Sequence, residues 1–189
     1  MAKTKGMKYF ITLDISRAFD TLDKNVLLEL IRTQAKSPLK EFLVIILDTY
    51  KKINLNIDNE IIQPETGVPQ GSVFGPILFL IYINPVLTEI QKKYPNSQIQ
   101  AFVDDIIIMS QTEIEINQIL NDTHRLINNL KLKLNLNKCE YIAPLNSKPI
   151  IDEIIQHIIQ PTTDAKYLGQ IIDNEGNTKI LLILSTTIQ

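Results

Sequence analysis

The sequence is short of cysteine, of long apolar runs and of positive charge, and each shortage excludes a class of protein. Its 189 residues include one cysteine, which excludes a disulfide framework. Cys139 has no Cys or His neighbour at the spacing of a zinc site. No apolar run reaches the roughly 18–20 residues of a membrane span, and residues 1–6 lack the pattern of a signal peptide. We therefore expect an intracellular, reducing compartment and no membrane partner.

The remaining composition is that of a globular protein. A formal net charge of −2 gives no indication of a nucleic-acid partner. Hydrophobic residues make up 44% of the chain and charged residues 21%, which permits a real core and excludes disordered and collagen-like classes. The sequence contains no internal repeat and no low-complexity linker, so we predict one domain.

Hydrophobic periodicity predicts an α+β fold in which helices pack on one face of an antiparallel sheet. β-Branched and aromatic residues indicate a strand over 8–13 that ends at Asp14. The pattern further predicts helices over 18–34, 38–50, 76–94 (recapped or kinked at Asn84-Pro85) and 112–130, hairpins over 53–62 and 99–110, and a strand over 132–142.

Three carboxylates, those of Asp14, Asp104 and Asp105, lie in segments that otherwise look buried. No Arg or Lys lies within four residues of the Asp104-Asp105 pair, which excludes a local salt bridge there. At a two-residue hairpin turn both side chains of the pair can project from the tip, and Asp14 could complete a cluster of hard oxygen ligands. Such a cluster suits two Mg²⁺ or Mn²⁺ ions, which clamp the attacking and leaving oxygens of a phosphoryl transfer. The alternative is that Asp-Asp is a turn dipeptide and Asp14 a helix N-cap.

A second constellation, GVPQGSVFGP over residues 67–76, places three glycines and two prolines directly before a helix. Backbone N–H groups exposed at a helix N-terminus favour phosphate oxygens. Gln70, between Pro69 and Gly71, would hold its amide outward, where it can hydrogen-bond a sugar or a base. The alternative is a tight packing loop.

Five segments, in this order, resemble the motifs of reverse transcriptases. Three are similar to the palm motifs, one to the lysine-bearing motif and one to the primer-grip turn: FITLDISRAFD (10–20), GVPQGSVFGPILF (67–79), AFVDD (101–105), LNLNKCE (134–140) and YLG (167–169). The first two segments, with Ala-Phe-Asp in the first and Leu-Phe in the second, resemble those of the non-LTR (LINE-type) retrotransposon branch and its group II intron relatives. The resemblance extends from about Lys8 to Ile172.

The resemblance implies a polymerase palm over residues 1–172, followed by a short tail over 173–189 that is not a recognisable thumb. Only nine residues precede Phe10 and twenty follow Gly169, so we expect the fingers and thumb to be largely missing. Phosphate contacts supply much of the affinity for nucleic acid, and an acidic chain without fingers is therefore expected to bind a template poorly by itself.

The resemblance also assigns roles to individual residues. Asp14 and Asp104 would be the principal ligands of two metal ions, with Asp105 in a supporting role. The remaining assignments concern substrates: the triphosphate near the backbone of Ile15, Ser16, Arg17 and Ala18, the nascent base pair at Gln70 and Gly71, and the primer grip at Tyr167, Leu168 and Gly169.

Two further residues each have a functional and a structural interpretation. Phe19, five residues after Asp14, would stack under the sugar and exclude a 2′-hydroxyl; RNA-copying RNA polymerases usually place an Asp there, so Phe19 favours DNA synthesis. Its alternative is a core aromatic that closes the strand–helix junction. Lys138 would lie near the pyrophosphate leaving group as general acid, and its alternative is a solvated strand lysine.

Together these features predict an RNA-directed DNA polymerase palm from a non-LTR retrotransposon. The expected cofactor is Mg²⁺ or Mn²⁺, and the expected partners are an RNA template, a DNA primer, a deoxynucleoside triphosphate and the missing fingers and thumb or other parts that the element encodes. A nuclear location is implied by the resemblance. The main alternative is a catalytically inactive truncated remnant that keeps the palm fold and binds nucleic acid or protein weakly. A two-metal nuclease on an unrelated fold would explain the acids but not GVPQGS or Phe19.

Overall fold

The computed structural model describes residues 6–57, 60–62, 64–69, 71–175 and 177–180, which contain four α-helices and a set of mostly short strands. The helices are α1 (Lys24–Gln34), α2 (Leu39–Lys51), α3 (Gly75–Lys93) and α4 (Glu113–Asn129), with a 3₁₀ helix over Leu136–Lys138. The strands are β1 (Tyr9–Asp14), β2 (Leu55–Ile57), β3 (Glu60–Ile62), β4 (Gln98–Phe102), β5 (Asp105–Ser110), β6 (Glu140–Ile142), β7 (Ile150–Asp152), β8 (His157–Ile159), β9 (Pro161–Thr162), β10 (Asp164–Tyr167), β11 (Gln170–Asp173) and β12 (Thr178–Ile180). Within these ranges every helix is too short or too polar to cross a membrane.

The central sheet has five strands in the order β4-β5-β1-β6-β9, so β1 lies in the middle. β1 pairs antiparallel with β5 on one side and with β6 on the other. The expectation of an antiparallel sheet is wrong at one edge, where β9 runs parallel to β6. The reason is the β7–β8 hairpin between them, since an insertion of this length supplies the long crossover that parallel strands need.

The two faces of the central sheet are covered differently. Along β1, Ile11 and Leu13 pack in a core cluster with buried residues of all four helices. Phe10 points to the opposite face and packs with Tyr167 and Ile172 of the small β10–β11–β12 sheet. Because successive side chains of a strand alternate between faces, β1 is buried on both sides, which explains its nearly continuous apolar sequence.

The helix that periodicity predicts from residue 18 begins only at Lys24. The apolar positions Ala18 and Leu22 are buried, but they belong to a series of turns rather than to the helix. Asp23 starts α1, because its side chain accepts hydrogen bonds from the backbone N–H groups of Asn25 (2.9 Å) and Val26 (3.2 Å). Spacing alone cannot distinguish buried turns from a first helical turn.

Other elements differ in extent rather than in kind. α3 continues through Pro85 as one helix, so the recapping predicted as one possibility at Asn84-Pro85 is wrong; Ile83, Val86 and Ile90 bury one face of the helix there. Burial of three such side chains contributes about 1.5–3 kcal/mol each, which outweighs the roughly 3 kcal/mol cost of an interior proline. The strand predicted over 132–142 is confirmed only over Glu140–Ile142. The helix start at Thr112 is confirmed, since its hydroxyl accepts the N–H of Glu115 (3.2 Å).

Candidate active site

A pocket of about 410 Å³ opens at the end of β1, where the central strand leaves the sheet. Its walls come from three parts of the chain that are far apart in sequence: the segment that follows β1, the β4–β5 turn and the region of the 3₁₀ helix. The lining residues are Asp14, Ile15, Ser16, Arg17, Ala18, Phe19, Asp20, Asp104, Asn135 and Lys138. The structure thus places eight of the residues predicted from sequence at one cavity, together with Asp20 and Asn135, which the sequence did not single out.

The β4–β5 hairpin carries the two adjacent acids, but its turn lies one residue earlier than predicted. Val103 and Asp104 form the two-residue turn, while Asp105 is the first residue of β5 and pairs with both Phe102 and Asp14. Val103 has a φ of +58° and Asp104 does not, which is the pattern of a type II′ turn. A β-branched residue with positive φ is strained. The two carboxylates therefore occupy different positions rather than a shared tip.

Asp104 and Asp105 accordingly differ in their relation to the pocket. Asp104 lines it together with Asp14, whereas Asp105 is not among the lining residues. Partial burial raises the pKa of Asp105, and the neighbouring charges of Asp104 and then Asp14 raise it further. Asp105 therefore lies close enough to feel the charge of both other carboxylates, but only Asp14 and Asp104 line the cavity.

The loop after β1 presents unpaired backbone donors to the pocket. The N–H of Ser16 donates to the carbonyl of Lys133 (2.8 Å), whereas the N–H groups of Arg17, Ala18 and Phe19 have no acceptor among the residues that the structure describes. Arg17 has a φ of +50°, a left-handed conformation that few residues other than glycine adopt. Successive N–H groups around such a residue form concave anion sites in many proteins. The loop is therefore suited to receive phosphate oxygens.

The lysine-bearing segment is fastened directly to the end of β1. Ile15 forms an isolated antiparallel bridge with Leu134, and the N–H of Asn135 donates to the carbonyl of Asp14 (2.9 Å). This arrangement brings the Lys138 ammonium to 3.7 Å from a carboxylate oxygen of Asp14. The Lys138 side chain is 66% exposed, so it lies at the mouth of the pocket and can reach a bound ligand.

Phe19 forms an apolar wall of the same cavity. Its ring is half-buried and packs at 5.7 Å between centroids against the ring of Phe79 in α3, with the planes tilted by 50°. A Cβ atom on Gly75 would lie 3.5 Å from the Phe19 ring, which is ordinary van der Waals contact, so the start of α3 packs directly beside the ring. Both ideas about Phe19 find support: it closes the junction and it faces the pocket.

The glycine-rich loop is attached to the loop after β1. Gly67 donates its N–H to the carbonyl of Leu22 (2.8 Å), and Val68 donates its N–H to the carbonyl of Phe19 (2.9 Å). Gly71 is exposed and does not line the pocket, and Gln70 lies outside the described residues. The structure therefore shows how this loop supports the wall at Phe19.

The turn predicted at Tyr167-Leu-Gly is confirmed as the tip of the β10–β11 hairpin. Leu168 and Gly169 form this turn with φ values of +49° and +76°, the pattern of a type I′ turn. Tyr167 does not line the pocket, but it is buried, and its hydroxyl donates to the backbone carbonyl of Asp105 (3.4 Å). The small sheet is therefore linked to the strand that begins with the second acid.

The donor set around the pocket fits a divalent cation that also binds a ligand. Among the described residues, no three His, Cys, Asp or Glu side chains are arranged to hold a metal ion by themselves. Mg²⁺ is usually bound by one or two carboxylates, with water and substrate phosphates completing its shell. Asp14 and Asp104, two carboxylates that face one cavity beside unpaired N–H donors, match that requirement.

Sequence reasoning missed Asn135 and Asp20 at the pocket. Both lie inside segments that it had identified, Asp20 at the end of the first motif and Asn135 three residues before Lys138. Residues three apart eclipse each other in a 3₁₀ helix. Asn135 directly precedes that helix rather than belonging to it, so this spacing would not have identified it.

Comparison with protein families gives one match over most of the chain. The family described as "Reverse transcriptase (RNA-dependent DNA polymerase)" matches residues 1–172. A curated relative, the Pol polyprotein from type-2 retrotransposable element R2DM of Drosophila melanogaster, is 32% identical over 142 residues, which cover 69% of this chain and 13% of that protein. The retrotransposable element SLACS 132 kDa protein of Trypanosoma brucei gambiense is 26% identical over 143 residues, 74% of this chain and 12% of its own length. The chain thus spans about an eighth of each.

Solved structures share the fold at lower identity. Telomerase from Candida tropicalis, in complex with a TWJ fragment of telomeric RNA, superimposes with a TM-score of 0.68 over 96% of this chain and 30% of that one, at 14% identity. Telomerase from Candida albicans, also with a TWJ fragment, gives a TM-score of 0.66 over 91% of this chain and 31% of that one, at 11% identity.

Proposed function

Because the chain belongs to the reverse transcriptase (RNA-dependent DNA polymerase) family, on the branch of the non-LTR retrotransposons, we propose that it supplies the palm of an RNA-directed DNA polymerase. The observation that carries this proposal is the pocket that joins Asp14, Asp104, Lys138 and Phe19, although up to 124 positions separate them in sequence. The proposed polymerase domain comprises residues 1–172. Its proposed partners are an RNA template, a DNA primer and a deoxynucleoside triphosphate.

The proposed reaction extends a primer by one nucleotide. The primer 3′-hydroxyl oxygen forms a bond to the α-phosphorus, the bond between the α-phosphorus and the bridging oxygen breaks, and pyrophosphate leaves while the hydroxyl proton passes to water. Two divalent cations, held by Asp14 and Asp104 with support from Asp105, would neutralise charge on the attacking and leaving oxygens. Positioning and charge neutralisation make up most of the protein's contribution to phosphoryl transfer.

The chain's own donors account for the triphosphate in this proposal. The N–H groups of Arg17, Ala18 and Phe19 line the pocket without an acceptor among the described residues, and they would donate to phosphate oxygens. The Lys138 ammonium, 3.7 Å from Asp14, would give a proton to the leaving pyrophosphate. The main-chain hydrogen bonds between residues 14–16 and 133–135 fix the loop N–H groups and the lysine-bearing segment in position relative to each other.

Three further assignments concern sugar, base pair and primer. The Phe19 ring would pack under the deoxyribose and exclude a 2′-hydroxyl, since it forms the apolar wall of the pocket. Gln70 and Gly71 would contact the nascent base pair. Tyr167, Leu168 and Gly169 would hold the primer, and the Tyr167–Asp105 hydrogen bond supports this because it links that hairpin to the acidic turn. The RNA present in the telomerase complexes supports an RNA partner for this fold.

Primer extension with matched acid variants tests the proposal. The purified chain is incubated with an RNA template, a DNA primer, Mg²⁺ and labelled deoxynucleotides. We expect Asp104→Asn to lower extension about 1,000-fold, because it removes charge that acts directly on the reacting oxygens. Asp105→Asn, one residue away but outside the pocket lining, should lower it about 10-fold.

Two outcomes contradict the proposal. Extension that survives Asp104→Asn would show that this carboxylate does not hold a reacting metal ion. No extension by the unmodified chain under any template or metal condition would favour a catalytically inactive remnant that keeps the fold.

A further inference from the structure

Both backbone groups of Asn135 form hydrogen bonds, and one of these bonds joins it to the end of β1. Its N–H donates to the carbonyl of Asp14 (2.9 Å), and its carbonyl accepts the N–H of Lys138 (2.9 Å) and the thiol of Cys139 (3.4 Å). The neighbouring carbonyl of Lys133 accepts the N–H of Ser16 (2.8 Å). Residue 135 is therefore held in a set position relative to the loop that lines the pocket.

The side chain of Asn135 has no structural use that accounts for it. An asparagine directly before a helix ordinarily caps it, with its side-chain oxygen accepting a backbone N–H. Asn135 occupies that position before the 3₁₀ helix but makes no such bond. Its amide has no other hydrogen-bond partner in the described part of the chain, and the residue is half-buried in the pocket wall. The amide is thus available to a ligand that enters the pocket.

The position of Asn135 next to Lys138 indicates which part of a ligand it meets. The two residues stand at the start and the end of one turn that the hydrogen bond from the N–H of Lys138 to the carbonyl of Asn135 closes (2.9 Å), and both line the pocket. The ammonium of Lys138 attracts anionic oxygens, and so do the unpaired N–H groups of Arg17 and Ala18. A neutral amide among these donors can add a hydrogen bond to the same anion without adding charge.

We propose that Asn135 is a substrate-binding residue whose side-chain amide donates a hydrogen bond to a triphosphate oxygen of the incoming nucleotide. This inference rests on the proposed polymerase function, because it assumes that the pocket binds a nucleoside triphosphate. It adds a contact that the five recognised motifs did not assign.

The test measures binding rather than catalysis. Calorimetric titration of the full 189-residue chain with tripolyphosphate, with dTTP and with deoxythymidine, all in Mg²⁺, separates phosphate contacts from sugar and base contacts. We expect Asn135→Ala to weaken tripolyphosphate and dTTP binding about 10-fold, as the loss of one hydrogen bond to a charged group implies. Deoxythymidine binding should not change. Asn135→Asp should weaken tripolyphosphate binding further, because it replaces the donor by a negative charge in a pocket that Asp14, Asp20 and Asp104 already line.

Asn137→Ala is the matched control, since Asn137 is exposed on the same 3₁₀ helix and does not line the pocket. We expect its affinity for tripolyphosphate to stay within about 2-fold of the unmodified chain. Asn135→Asp preserves the size of the side chain and the backbone bonds, so it gives a folded variant even where the alanine variant is unstable.

The outcomes separate this inference from the proposed function. If Asp104→Asn weakens tripolyphosphate binding in Mg²⁺ but Asn135→Ala and Asn135→Asp do not, the assignment of Asn135 is wrong and the pocket assignment stands. If the unmodified chain binds neither tripolyphosphate nor dTTP, both are wrong. Equal weakening by Asn135→Ala and Asn137→Ala would show a general effect on the helix and would also overturn the inference.

Discussion

Replacement of Gly67 by alanine tests the close contact between the glycine-rich loop and the loop that lines the pocket. Gly67 has a φ of +82°, and a Cβ atom at this position would lie 2.9 Å from the backbone carbonyl oxygen of Asp20. Real Cβ atoms do not approach backbone atoms so closely, and a carbonyl cannot rotate away as a flexible side chain can. The two loops would therefore have to separate, which would strain the Val68–Phe19 hydrogen bond of 2.9 Å.

Gly71 provides the control for the backbone strain. It also has a positive φ, +78°, but a Cβ atom there would have no neighbour within 4 Å. Each alanine pays about 1–2 kcal/mol for a left-handed backbone and regains about 0.4–1 kcal/mol from the restricted unfolded chain. The clash at Gly67 adds about 1–3 kcal/mol. We therefore expect Gly67→Ala to lower the free energy of unfolding by about 2–4 kcal/mol and Gly71→Ala by about 1 kcal/mol.

Equilibrium denaturation in urea measures both values under the same conditions. The difference between the two variants isolates the contact, because strain and unfolded-state effects are common to both. Equal losses of stability for Gly67→Ala and Gly71→Ala would refute the close approach of the two loops. A smaller loss for Gly67→Ala than for Gly71→Ala would contradict it more strongly.

Two further predictions concern the apolar wall that Phe19 forms in the pocket and an ion pair away from the pocket. Phe19→Ala should lower discrimination against ribonucleotides about 10-fold or more in primer extension. Phe79→Leu, which alters the packing behind the Phe19 ring, is the control and should leave discrimination unchanged. Unchanged discrimination in Phe19→Ala would contradict the proposed role of the ring. Burial alone raises the pKa of Asp122, but hydrogen bonds from Lys93 and Tyr94 outweigh it and lower the pKa. The resulting stabilisation is present above the ordinary carboxyl pKa of 3.8 and is lost as pH falls through the lowered value. Asp122→Asn should therefore lower the free energy of unfolding by about 1 kcal/mol at pH 7. In acid, the denaturation curves of this variant and of the unmodified chain should converge. A difference in stability that stays constant with pH would contradict the ion pair.

The candidate site residues could be predicted from the sequence more accurately than the turns that position them. Asp14 ends a strand whose apolar composition is unmistakable, so both the strand and its terminal acid could be predicted. The one-residue offset of the β4–β5 turn could not, because a turn that places β-branched Val103 at positive φ contradicts local preference. Tertiary pairing of Asp105 with Asp14 fixes that register instead.

The limits of periodicity show most clearly around residues 16–22. Ala18 and Leu22 are spaced as on a helix and are fully consistent with one, yet they are buried in successive turns. The backbone there is held by bonds to Lys133, Gly67 and Val68, which are distant in sequence. No local pattern contains that information. The N–H groups of Arg17, Ala18 and Phe19 have no acceptor within the part of the chain that the structure describes.

The central position of β1 has a consequence for how the molecule fluctuates. A strand with hydrogen-bonded neighbours on both edges and side chains buried on both faces opens to solvent only when most of the domain unfolds. Asp14 is the last residue of that strand, and its backbone carbonyl also accepts the N–H of Asn135. We therefore expect its backbone to exchange late. A ligand that enters the pocket would therefore meet, at Asp14, a wall that keeps its shape.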